Sequence, residues 1–100
     1  MKKVEVKVSG PIRVWIDDDP LHFTDGVASK QVTENIEYAL SWMIIGNPGT
    51  KWSIEMPKPD KYKWRNPASQ KWRTTKINRP GTLKRTKDAG LKWFVVLGYK

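Results

Sequence analysis

Cysteine is absent from all 100 residues, which removes disulfides, thiolate chemistry and cysteine-based zinc sites and fits a reducing compartment. Histidine occurs once, as His22. The longest apolar runs, WMII (42–45) and WFVVL (93–97), are far too short to span a bilayer. Glu5 and Lys7 interrupt the apolar stretch that a secretory leader would need after its basic start. These absences point to a cytoplasmic protein with no membrane partner. The motifs HExxH, GxSxG and the phosphate-binding glycine loop are all missing, and so are zinc-finger, RNP1, GXXG and helix-turn-helix signatures.

The most informative absence is of acid. Residues 1–60 hold seven Lys/Arg against nine Asp/Glu, whereas residues 61–100 hold twelve against one, Asp88. From Lys61 to Lys87 there are ten cations and no carboxylate. Solubility alone does not require the signs to be segregated in this way, so the asymmetry points to a polyanionic partner.

The length suits one domain, 1–100, with one core. KKVEVKV and IRVWI both alternate, around the Ser9–Gly10–Pro11 break, and read as an N-terminal hairpin. Residues 17–26 read as a loop. Val32, Ile36, Ala39, Leu40, Met43 and Ile44 recur at helical spacing and predict an amphipathic helix over about 30–45. Ser29 or Thr33 would cap it and Gly46 would end it. Tyr38, Trp42 and Ile45 lie off that stripe and are candidates for a protein interface. KWSIEM aligns Trp52, Ile54 and Met56 on one face of a strand, and PKPD (57–60) breaks the chain. A basic hairpin (61–77), a mobile basic loop (78–90) and a final strand complete the order. That strand is apolar on both faces and belongs inside a sheet. The expected class is α+β: a mainly antiparallel sheet of about five to six strands with one helix packed on a face, in the order β-β-α-β-β-β-β. A β-grasp-like or OB-like arrangement would accommodate it.

KWR occurs twice, at 63–65 and 71–73, around NPASQ. A five-residue loop would set Trp64 opposite Trp72, whereas a four-residue loop would set Trp64 opposite Lys71 and lose the aromatic pair. Either way the cations lie outside. The predicted phosphate-contacting set is Lys61, Lys63, Arg65, Lys71, Arg73, Lys76, Arg79, Lys84, Arg85 and Lys87, with Trp64 and Trp72 as base-stacking candidates. Tyr62, Trp64 and Trp72 would instead enter the core if they share the buried strand face.

Asp17, Asp18, Asp19, His22 and Asp25 crowd one loop. Their spacing does not match an EF-hand, so they read as a solvated acidic turn rather than a metal site, and no cofactor is expected. That loop could also meet the basic segment of a second copy, giving a homodimer. Glu5–Lys7 and Pro59–Asp60 stand in the wrong order for a nuclease motif. The composition thus points to a small, non-enzymatic nucleic-acid-binding protein. Two alternatives are a protein-interaction module docking an acidic or apolar surface, and a histidine-independent, ribonuclease-like toxin.

Overall fold

Alternation with a period of two, rather than 3.6, organises the whole chain. A computed structural model describes residues 2–57 and 61–98. It contains nine strands: β1 (Lys2–Ser9), β2 (Ile12–Ile16), β3 (Asp19–Pro20), β4 (Val27–Val32), β5 (Glu37–Ile45), β6 (Lys51–Met56), β7 (Tyr62–Arg65), β8 (Ile77–Thr82) and β9 (Lys87–Val96). They form two antiparallel sheets, ordered β4-β1-β6-β8 and β3-β2-β5-β9-β7. The inner faces meet in one core, with Val4, Val6, Ile54, Met56 and Ile77 from the first sheet against Val14, Ile16, Leu40, Ile44, Phe94 and Val96 from the second. Each such side chain contributes about 1.5–3 kcal/mol by leaving water. Among the described residues no helix is long and apolar enough to cross a membrane.

The α+β expectation is therefore corrected to an all-β sandwich, and the helix over 30–45 does not exist. Residues 27–32 and 37–45 are strands, separated by a turn in which Asn35 takes a φ of +62°. Within β5, Leu40, Trp42 and Ile44 are buried while Ala39, Ser41 and Met43 face the other way. An apolar run this dense satisfies both periods, and the helical stripe was assembled by borrowing Val32 and Ile36 across the turn. Ile36 is 49% exposed. Among the described residues there is no helix, and one sheet covers the other.

The N-terminal hairpin is also corrected. β1 pairs with β4 and β6, and β2 pairs with β3 and β5, so the Ser9–Pro11 break carries the chain from one sheet to the other. From β3 onward consecutive strands alternate between the two sheets. The strand reading of KWSIEM holds, with Trp52, Ile54 and Met56 buried, and β9 lies between β5 and β7 as its two apolar faces require. Residues 58–60 of the PKPD break and Tyr99 lie outside the described residues.

Tyr62 ties the sheets together. Its side chain leaves β7 of the five-stranded sheet, and its hydroxyl donates to Met56 O and accepts from Ile77 N (2.9 Å), two residues paired across β6 and β8. Burial pushes the phenol up to about 12. The folded state thus holds this proton more tightly than the unfolded chain, whose tyrosine titrates near 10. Its stabilising contribution is complete below pH 10 and is lost as the pH rises through about 12. Tyr62→Phe should cost about 2 kcal/mol at neutral pH, because two buried backbone groups lose their partner. In urea melts the gap between native protein and variant should narrow from pH 10 to pH 12; a constant gap would contradict this role.

Candidate nucleic-acid interface

The segment joining β7 to β8 sets the register of the basic region. Trp64 N donates to Arg73 O (2.8 Å) and Arg73 N to Trp64 O (2.7 Å), so Trp64 stands opposite Arg73. Neither expected register occurs. The turn at Asn66–Ser69, closed by Ser69 N to Asn66 O at 3.0 Å, is followed by Lys71 N donating to Ser69 Oγ, and this adds a residue to the loop. One residue of slip exchanges the faces of every following side chain. Trp64 consequently joins the edge of the core, its Nε1 donating to Thr75 O (2.8 Å), while Trp72 is half-buried elsewhere.

Each indole is paired with cations. Lys63 Nζ lies 4.6 Å and Arg65 Cζ 5.3 Å from the Trp72 ring centre, and Arg65 also reaches Trp93 at 5.8 Å. Arg73 and Lys92 approach Trp64 at 5.7 and 5.0 Å. A cation over an indole face gains about 0.5–1 kcal/mol at an exposed site. Unlike a carboxylate, the indole carries no net charge, so the cation keeps its own. Aromatic rings thus fix the geometry of the positive charge without cancelling it.

Ten predicted cations distribute as follows. Lys61 precedes β7, Lys63 and Arg65 lie in it, and Lys71, Arg73 and Lys76 lie in the connection that follows. Of the stretch read as a loop over 78–90, residues 78–82 belong to β8 and 87–90 open β9. Arg79 is in β8, Lys84 and Arg85 lie between the strands, and Lys87 begins β9. Lys84, Arg85 and Lys87 line one shallow recess with Thr82 and Asp88. Arg65 pairs with Glu37 (2.8 Å) and Lys76 with Glu55 (3.5 Å). Among the described residues no carboxylate lies within ion-pair distance of Lys63, Arg73, Arg79, Lys84, Arg85 or Lys92.

Lys92 was missed by sequence reasoning, although its signal was present. It occupies the same phase of β9 as buried Phe94 and Val96, a cation where the pleat calls for an apolar residue. Arg79 breaks the phase of β8 in the same way, two residues after buried Ile77. The Lys92 ammonium donates to Asn66 Oδ1, and burial, with Arg79 and Arg73 nearby, holds its pKa below the usual lysine range.

The interface candidates do not form one patch. Tyr38 stacks on Phe94 (5.7 Å) and Trp42 is 3% exposed, both on the inner phase of β5, whereas Ile45 is 59% exposed at its end. In the acidic loop Asp17 Oδ1 accepts from Ala39 N (2.9 Å) and Asp19 pairs with Lys30 (2.9 Å). Among the described residues no cluster of three or more His, Asp or Glu side chains could hold a metal.

No family model, curated protein or solved structure matches this chain, so the site is read from its own chemistry.

Mutual repulsion among the cations of β7, β8, β9 and the segments joining them should make stability rise with salt. Lys92→Gln should raise the low-salt melting temperature by about 4 °C and flatten the salt dependence. Circular-dichroism melts test this; equal salt dependence in both proteins would contradict it.

Proposed function

We propose that the protein binds nucleic acid through its phosphates, using the cations at the rim formed by β7, β8 and β9. The supporting observation is that Lys63, Arg73 and Lys92 lie against indole rings, and that these three together with Arg79, Lys84 and Arg85 have no carboxylate within ion-pair distance among the described residues. A charge cluster that served stability alone would be expected to carry counter-ions from the same chain. Trp64 and Trp72 act in this reading as supports for cations rather than as a stacking pair, because they lie out of register and cations already approach both rings.

A second reading, a protein-docking module, moves from Tyr38 and Trp42 to the outer face of the five-stranded sheet. There the register aligns Trp15, Ser41 and Leu91 across three strands, with Met43 and Trp93 beside them. All five are only half-buried, with no covering element among the described residues.

Fluorescence anisotropy with a short labelled single strand distinguishes the two. If about four to six cations engage, log K falls with log salt at a slope of roughly −3 to −4. Lys84→Glu/Arg85→Glu should weaken binding at least about tenfold, while the equal charge change Lys3→Glu/Lys7→Glu on β1 and the pair Trp15→Ser/Leu91→Ser should each leave affinity within about twofold. Equal losses from both charge reversals would mean that net charge, not this rim, drives binding. Absence of binding at low salt would remove the first reading.

A further inference from the structure

Between the sheets, where the inner faces of β8 and β9 run out of apolar side chains, a recess of about 310 Å³ opens. Trp42 and Trp52 line it from opposite sheets, with Arg79, Lys92, Asn66 and Asp88 among the other walls. The indoles can lie flat only because each faces a glycine across its ladder: Trp52 pairs with Gly81 and Trp42 with Gly90. A Cβ at Gly81 would stand 2.4 Å from the Trp52 ring, and one at Gly90 2.2 Å from the Trp42 ring. Close approach therefore makes both positions glycine-only.

Two features of this recess are unexplained by folding. Trp52 is 5% exposed, and its Nε1–H, buried, has no hydrogen-bond partner. An orphaned buried donor costs about 1–3 kcal/mol. Beside it, Arg79 and Lys92 line the recess from opposite sheets, where burial, with Arg79 and Arg73 nearby, disfavours the Lys92 charge. The one acid lining the recess, Asp88, accepts from its neighbour Ala89 N (2.8 Å) and makes no ion pair with these cations among the described residues. Two cations without a carboxylate partner, one of them steadied by the Asn66 amide, describe the complement of an oxygen-rich anion.

We propose that this recess is a pocket for a phosphate monoester dianion, held by Arg79 and Lys92 beside the Trp52 indole. It rests on the phosphate-binding reading of the same rim and adds a preferred group to it. The pocket is backed by the sandwich core, so a terminal phosphate fits it better than a diester whose chain must enter and leave. Two positive charges also favour the dianion over the singly charged diester. The occupant is either the phosphorylated end of a nucleic acid or a free phosphate.

The indole N–H signals in ¹⁵N-resolved NMR spectra read the pocket directly, with the Trp52 signal assigned by its loss in Trp52→Phe. One arm titrates inorganic phosphate against sodium chloride at constant ionic strength. A second compares one oligonucleotide with a 5′-phosphate, a 3′-phosphate or neither. The expected result is a saturable shift of the Trp52 signal with phosphate and not with chloride. A phosphorylated end should bind about tenfold tighter than the unmodified strand, an advantage that Arg79→Gln/Lys92→Gln abolishes. A Trp52 shift with a phosphorylated strand identifies the nucleic-acid end as the source. A shift with inorganic phosphate but no preference for a phosphorylated end identifies free phosphate. No Trp52 shift in either arm overturns the pocket. If the unmodified strand then still binds with a steep salt dependence, the phosphate-binding reading of the rim survives; if nothing binds, both fall.

Discussion

A two-sheet sandwich imposes one constraint on every strand: side chains of one phase must fill the interior, and a side chain that cannot must sit where the interior meets water. Leu40, Trp42 and Ile44 in β5 satisfy it, as do Trp52, Ile54 and Met56 in β6. The constraint lapses at Arg79 in β8 and Lys92 in β9, and the candidate site begins at those two positions. Position in the fold and position in the chemistry are therefore set together. Gly81 and Gly90, by letting two large indoles lie against the backbone, keep that end of the interior open rather than filled.

Electrostatics follow from the same geometry. Elsewhere the molecule pairs its charges locally, as in Lys30 with Asp19 and Lys7 with Glu5. Around β7 and β9 the partners of the cations are mostly indole faces, which attract a cation through their quadrupole but leave the field outside undiminished. Arg65 combines both, pairing with Glu37 while lying near Trp72 and Trp93. Lys63, Arg73 and Lys92 are thus held by contacts that do not neutralise them, a different condition from that of mobile surface lysines.

Sequence reasoning saw the strands that alternate cleanly, β1, β2 and β6, and placed β9 inside a sheet from its two apolar faces. It failed where the signal was degenerate. The run from Tyr38 to Ile45 is apolar at nearly every position, so period two and period 3.6 both fit, and only the sheet pairing of Leu40 with Ile16 and Lys92 decides between them. The pairing of β1 with β4 rather than β2 depends on contacts that no local pattern encodes. The excess of charge in 61–87 was legible by counting, but the geometry of the site was not. Register between Trp64 and Arg73 depends on one added loop residue, and Arg79 and Lys92 meet only because two sheets close on each other. Lys92 was the exception, since its break in the phase of Phe94 and Val96 is visible in the sequence itself.

If the protein binds polyanions as proposed, binding is localised to the β7–β8–β9 rim. The most direct test is a backbone amide chemical-shift map, recorded as a short single-stranded oligonucleotide is added to the ¹⁵N-labelled protein. Shifts should concentrate at residues 63–76, at Arg79, over 84–87 and at Lys92, leaving β1 and β4 unmoved. Shifts centred on Trp15, Met43 and Leu91, or spread evenly over the surface, would contradict it.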